Sequence, residues 1–467
     1  MNSWIINCMA VFLLCIFCAG IVIPQILLIA FRKQLMDVPD ERKIHRSLVP
    51  RLGGIAFKPV IFFSLVFILG INLALGHPSI MIEPLADARA ILFGFCAVMV
   101  LYLVGIADDL VGVRYRAKFV IQILCAIMVV TGGIWINNLN GVLWLNELPQ
   151  WVGFPLTVLV VVFITNAINL IDGIDGLASG LCGIAFLFYG IIFFILGHYF
   201  YAMISFATLG VLVPFFYYNV FGNAERQQKI FMGDTGSLTI GMILSFISIK
   251  LVMCVPEDAP FSPNTMVLAF APMLVPGFDV VRVYLHRIRT GHNPFLPDKN
   301  HIHHKLLALG MHQRIAMVSI ISFSLLLILA NVVLSVYLNV NLILLLDALV
   351  WTIGNIWISR KIKNRISMQS LDRVPGQDKT LSPAATAVSL TNQESETGET
   401  NYAALDSKKM TDYVRSRGGE CSVQDIIEKS GADRFRVYPM ICRLSLAGKL
   451  KVTKTDSWGS PLFVALT

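Results

Sequence analysis

The sequence predicts an all-α polytopic membrane protein with a small α+β domain at its C-terminal end. Three observations carry that expectation. Of 467 residues, 56% are hydrophobic and only 14% charged, with mean hydropathy +0.71. Ordinary soluble domains are about half apolar and about a quarter charged. The apolar residues fall in repeated long runs, and Lys and Arg concentrate in alternate loops between them.

A spanning helix needs roughly 20 predominantly apolar residues, and about eleven runs meet that requirement. They lie near 4–31, 53–75, 90–107, 119–136, 152–168, 177–197, 199–221, 236–254, 265–285, 315–338 and 341–358. The junctions Gly197–Tyr199 and Leu338–Asn341 are short, so the expected number is 10–11. The first run lacks a basic leader and stays apolar to Ala30, unlike a signal peptide. Cations cluster at Arg32–Arg51, Arg114–Lys118, Arg226–Lys229, Arg282–Arg314 and from Arg360 onward. Cytoplasmic loops carry such an excess, which places the N-terminus outside and the C-terminus inside. Trp135, Trp144 and Trp151 flank an outer loop, as an aromatic belt would. Cys15 and Cys18 form a CxxC inside an apolar run, where packing is the expected role, because redox chemistry needs an exposed thiolate.

The polar residues gather in loops of one side. At LYLVGIADDLVGVRYRAK an apolar run ends on Asp108 and Asp109, followed by Arg114, Arg116 and Lys118. Adjacent acids at membrane depth are costly and call for a cation. Hard carboxylate oxygens suit Mg²⁺, with Mn²⁺ the other candidate, held by one or two carboxylates plus substrate phosphates. A solvated helix end is the plainer reading of this pair. In TNAINLIDGIDGLASG, Asn166, Asn169, Asp172 and Asp175 recur every three residues and share a face if helical. In KIFMGDTGSLTIG, Asp234 precedes a spanning run, either as a helix cap or as a third metal carboxylate. Beside the aspartate pair the metal role is the expected one.

The loop VVRVYLHRIRTGHNPFLPDKNHIHHKL holds five of the nine histidines along with Arg282, Arg287, Arg289 and Lys299. Without Cys or an HExxH partner the zinc signal is weak. Guanidinium groups with imidazoles suit a diphosphate. The first inward loop, DVPDERKIHRSLVPRLGG, adds Arg42, Lys43, His45 and Arg46. Carboxylates and phosphate-binding cations beside lipid point to Mg²⁺-dependent transfer between phosphates, one substrate in the bilayer and one in the cytosol.

These five motifs, in this order over about residues 1–360, resemble the polyprenyl-phosphate N-acetylhexosamine-1-phosphate transferases. That resemblance implies transfer of GlcNAc-1-phosphate, or a related sugar phosphate, from a UDP-sugar to undecaprenyl phosphate. UMP is released, and synthesis of a lipid-linked surface polysaccharide begins. The RxR stretch before HIHH resembles the UDP-GlcNAc branch, which includes O-antigen and teichoic-acid initiation. The peptidoglycan phospho-MurNAc-pentapeptide branch is the alternative. The resemblance makes Asp108, Asp109, Asp172 and Asp175 catalytic, and Asp108, Asp109 and Asp234 metal ligands. Substrate contacts fall to Lys118, Asn169, Asp175, Asp279, Arg282, Arg289, His301, His303, His304, Arg42 and His45. The implied location is the bacterial inner membrane with the site on the cytoplasmic face, and homodimerisation is an open expectation. A transporter of phosphorylated lipid would instead spread ionisable groups to both faces.

The transferase domain is expected over 1–365. Residues 366–405, rich in Ser, Thr, Pro, Gln and Glu, read as a disordered linker. Residues 406–467 read as three short helices and a hairpin, the order of a winged helix. A protein partner is expected there over nucleic acid, because Pro439 interrupts the third helix.

Overall fold

The computed structural model describes residues 2–33, 35, 49–224, 226–255, 264–291, 300–371, 409–418, 420–430, 441, 444, 450–455 and 461–466. Arg42, His45, most of the expected linker and much of the expected third C-terminal helix lie outside these residues. The chain divides into two compact units, Met1–Arg365 and Ile366–Thr467.

The first unit is helical throughout. Its principal helices are α1 (Asn2–Arg32), α2 (Phe57–Ala74), α3 (Ile82–Ala86), α4 (Ala88–Val111), α5 (Tyr115–Thr131), α6 (Gln150–Ile171) and α7 (Leu177–Ile195). They continue as α8 (Tyr199–Val220), α9 (Gly233–Cys254), α10 (Thr265–Phe270), α11 (Leu274–Arg289), α12 (Ile302–Ala308), α13 (Gln313–Tyr337) and α14 (Val340–Leu371). Among the described residues ten helical segments are long and apolar enough to cross a membrane, counting 265–289 as one. Both short junctions are turns: Gly197 has φ +80°, and Leu338 is extended.

α5 departs from the expected run at 119–136. It starts at Tyr115 and stops at Thr131, because Gly132 and Gly133 follow and Gly133 sits at φ +94°. With 17 residues it lies at the short limit for a spanning helix. The run expected at 265–285 bends around Pro272, which divides it into α10, a 3-10 turn at Ala271–Met273 and α11.

α9 is the central post. The apolar window that qualifies it as a span is 89% buried, against 22% for α1. Its neighbours are α4, α6 and α7, while α1 lies along α8 at the periphery. Small residues allow that burial. A Cβ on Gly241 would stand 2.9 Å from the Thr165 Cα, so α6 and α9 touch backbone to backbone. Thr239 and Ser245 hydroxyls donate to carbonyls one turn back in α9, at 2.6 and 2.7 Å. They therefore bring no unmet polar group into the core. At the end of α9 remote from Asp234, Lys250 is paired with Asp87 at 2.7 Å, and Tyr201 donates to the same carboxylate at 2.8 Å.

In the second unit, Val423–Lys429 is a helix whose Ser422 cap accepts from the Asp425 N–H at 3.1 Å. Strands Glu420–Ser422 (β1), Leu450–Thr455 (β2) and Pro461–Leu466 (β3) form an antiparallel sheet in the order β1-β3-β2. Met410, Val414, Ile426, Ile441 and Val464 lie in its apolar core.

Candidate active site

α4 delivers both aspartates in its last turn, before Gly112 at φ +80° ends the helix. The two diverge in role. Asp109 accepts from the Asp234 N–H at 2.8 Å, the Thr235 N–H at 2.9 Å and the Thr235 hydroxyl at 2.6 Å. It therefore caps α9 from a separate helix and satisfies amides that a helix start leaves open. Gly233 makes this approach feasible. It adopts φ +72°, and a Cβ there would lie 2.1 Å from the Arg51 carbonyl and 2.5 Å from Asp109 Oδ2.

Asp108 faces the other way. Its Oδ1 accepts from the Val113 N–H at 2.6 Å, and its Oδ2 meets Lys118 Nζ at 2.8 Å. The same Lys118 Nζ lies 3.5 Å from Asp234 Oδ2. Asn169 donates to Asp234 Oδ1 and, at 2.8 Å, to the Ser237 hydroxyl. One ammonium thus bridges two carboxylates from different helices, with an amide holding the second. Asn166 extends the polar floor, donating to Gln122 at 2.5 Å.

The segment Pro50–Gly54, just before α2, reaches the same place by backbone pairing. Gly53 and Gly54 N–H groups donate to Phe231 and Met232 carbonyls at 3.0 and 2.9 Å, and the Phe231 N–H donates to Pro50 at 2.9 Å. The expected single helix face from Asn166 to Asp175 stops short, because α6 ends at Ile171 and Asp172 and Asp175 lie in the following turn. Asp175 pairs with Lys229 at 2.5 Å. Burial, reinforced by the nearby Asp234 and Asp175 carboxylates, pushes the Asp172 carboxyl up to about 7.

The histidine segment docks on that turn. A Cβ on Gly173 would stand 2.3 Å from His303 Nε2, so only glycine leaves space for the ring. Asp279, fully buried, organises the segment. Its Oδ2 meets His301 Nδ1 at 2.8 Å, and its Oδ1 accepts from Arg282 at 2.7 Å and from the Ile302 N–H at 3.0 Å. His301 and His303 stack at 5.8 Å, and His304 packs 4.2 Å from His303. His303 is 1% exposed, and among the described residues neither ring nitrogen has a hydrogen-bond partner. Burial, then the neighbouring His304 and His301, lower its pKa to about 3, so the ring is neutral at physiological pH.

Three expectations change. Asp108, Asp109 and Asp234 do not form one three-carboxylate set, because both Asp109 oxygens face the first turn of α9. Among the described residues no group of three acidic, His or Cys side chains forms a ready ligand cage. Asp108 and Asp234, with two carboxylates and a competing ammonium, fit a Mg²⁺ completed by substrate phosphates rather than an all-protein cage. Arg289 ends α11 exposed and makes no bond to this cluster. Arg116 is likewise outward, donating to the Tyr115 hydroxyl at 3.1 Å, so Lys118 alone of the Arg114–Lys118 cations meets the carboxylates. Sequence reasoning missed Thr235, Ser237 and Lys229, although all three lie within the quoted KIFMGDTGS stretch.

Comparison with known proteins identifies similar sequences. Residues 91–252 match the glycosyl transferase family 4 profile. The chain is 33% identical over 322 residues to a probable undecaprenyl-phosphate N-acetylglucosaminyl 1-phosphate transferase of Bacillus subtilis, covering 68% of this chain and 83% of that protein. It is 31% identical over 296 residues to the undecaprenyl-phosphate alpha-N-acetylglucosaminyl 1-phosphate transferase of Escherichia coli K12, covering 62% and 74% respectively. The Yersinia pestis protein of the same description is 30% identical over an equal length.

Proposed function

We propose, from the premise that this chain belongs to glycosyl transferase family 4, that it transfers GlcNAc-1-phosphate from UDP-GlcNAc to undecaprenyl phosphate. A lipid phosphate oxygen attacks the sugar-bearing phosphorus of UDP-GlcNAc. The bridging P–O bond breaks, and UMP leaves with its electron pair. The observation that carries this reading is the Lys118 bridge between Asp108 and Asp234, beside the His303–Gly173 contact. It joins an acidic centre to an imidazole-rich segment at one end of the helices.

The lipid phosphate is already an oxyanion, so little proton transfer is needed. Asp108 then positions Lys118 rather than acting as a base, and Lys118 holds a phosphate oxygen. Mg²⁺, when bound at Asp108 and Asp234, would offset charge on the phosphates. Neutral His303, with His301 and His304, would donate to the diphosphate while Asp279 fixes their segment. Asn169, Asp172 and Asp175 shape the nucleotide side, and Arg282 stands behind Asp279. The chain would sit in a bacterial inner membrane with this end cytoplasmic, α5 serving as the eleventh span and the N-terminus outside. The second unit would be a winged-helix-like domain that meets a protein partner.

A transporter would need an ionisable route across the membrane. Between Asp234 and Lys250, α9 carries none. UMP release from UDP-GlcNAc, in membranes supplied with undecaprenyl phosphate and Mg²⁺, tests the proposal. Asp234→Asn should remove at least about a thousandfold of the rate. Undiminished release in that variant refutes the assignment.

A further inference from the structure

A second polar cavity lies at the end of α9 remote from Asp234. Its volume is about 490 Å³, within the usual range for small-ligand sites. Its lining combines side chains from three places: Asn137, Asn138 and Asn146 in the loop between α5 and α6, Asn264 before α10, and Asn339 between α13 and α14. Val252 and Leu338 add apolar floor. No charged side chain lines it among the described residues.

Loop geometry accounts for part of this amide content. Asn138 Oδ1 accepts from the Asn140 N–H at 2.7 Å, and Asn339 Oδ1 accepts from the Asn341 N–H at 2.9 Å. It does not account for Asn264. That side chain is 5% exposed, and its Nδ2 donates to the Ser335 and Leu338 carbonyls at 2.6 and 3.0 Å. The donation fixes the amide orientation, yet among the described residues its Oδ1 is buried without a partner. A buried acceptor left unmet costs about 1–3 kcal/mol, so a donor-bearing ligand is favoured there. Around it, among the described residues, no hydrogen bond engages the side-chain amides of Asn137 and Asn146, and the NH₂ groups of Asn138 and Asn339 donate to none.

Such a lining selects by chemistry. Amides both donate and accept, which matches hydroxyls and acetamido groups. With no cation to receive them, phosphates and carboxylates would be desolvated without compensation. The apolar floor suits the C–H face of a sugar ring. We propose that this cavity is a binding site for a neutral saccharide, separate from the carboxylate end of the same helix.

The test uses the full-length protein in lipid nanodiscs. Chitotriose and maltotriose serve as probes, followed by saturation-transfer NMR and titration. The expected result is saturable binding of at least one probe at millimolar concentration, undisturbed by UDP-GlcNAc or UMP. Asn264→Ala should weaken it about tenfold or more. Because Asn264 also ties α10 to α13, Asn146→Trp provides the second variant. Among the described residues the Asn146 side chain makes no hydrogen bond, and indole at that position would add bulk to the cavity lining. It should abolish binding while leaving the melting temperature and UMP release unchanged. No saturation up to roughly 10 mM overturns the proposal, as does binding that survives both variants or is displaced by UDP-GlcNAc.

Discussion

Replacing Gly173 with alanine tests whether the histidine segment is seated by the turn after α6. Gly173 has a negative φ, so alanine adds no backbone strain and the effect is purely one of space. The new methyl would lie 2.3 Å from His303 Nε2 and 2.6 Å from Cε1, where ordinary contact begins near 3.4 Å. The ring must therefore retreat by about 1 Å, and it has little freedom to do so. It is 1% exposed, stacked on His301 and backed by His304. Misplacement of that size near reacting groups costs about a hundredfold, equivalent to about 2.7 kcal/mol of barrier. Overpacking should cost a further 1–3 kcal/mol, roughly, in stability. The assay is UMP release in nanodiscs, with melting followed in parallel. Gly183→Ala in α7 is the matched control, because its nearest neighbour would be Leu209 at an ordinary 3.8 Å. Gly173→Ala at full rate and unchanged melting temperature, with Gly183→Ala also silent, would refute the seating.

Four further outcomes follow from the same geometry. Asp109→Ala should lower the melting temperature by removing three bonds to α9, about 2–4 kcal/mol in all, whereas Asp234→Asn should melt near wild type and lose activity. His303 is held neutral in the fold, with a pKa of about 3 against an ordinary 6.5. The unfolded chain therefore binds the extra proton first as pH falls, and stability from this residue drops between 6.5 and 3 by up to about 1.4 kcal/mol per pH unit. His303→Gln should flatten that limb of a melting-versus-pH curve. Asp172 has the opposite sign: its raised pKa makes the folded state lose stability as pH climbs from about 4 to about 7, so Asp172→Asn should melt higher than wild type at pH 8. Finally, removing 372–467 should leave UMP release within about twofold of the full chain. Cutting at 358 should lose it, because Ser359 accepts from Lys305 at 3.0 Å and Arg365 donates to the Leu309 carbonyl, both holding α12.

The residue types at the site were legible in the sequence because acids, asparagines and histidines are conspicuous in an apolar chain. Their division of labour was not. A local rule reads Asp234, at the start of a spanning run, as a choice between cap and metal ligand. The cap of α9 is instead Asp109, 126 positions from the Thr235 amide it satisfies, and no window along the chain contains both. The end of α5 failed for a related reason. Hydropathy continues past Gly132 and Gly133 to Ile136, but the backbone turns at Gly133 and only dihedral freedom records that. Cations misled differently. Arg114, Arg116, Arg289 and Lys118 look equivalent in a loop, since headgroups and phosphate substrates attract all of them. Geometry separates them, because Lys118 alone stands within reach of two carboxylates.

That last fact also constrains the charge balance of the site. Asp108 and Asp234 approach the same ammonium, and without a cation between them their like charges would repel. Lys118 meets that need, 2.8 Å from Asp108 and 3.5 Å from Asp234. A divalent ion, if held by Asp108 and Asp234, would supply further neutralisation there, with Lys118 still positioned by Asp108 toward a phosphate. On that argument Asp108→Asn and Asp234→Asn should each lower UMP release on their own, since either change removes one of the two carboxylates that Lys118 bridges.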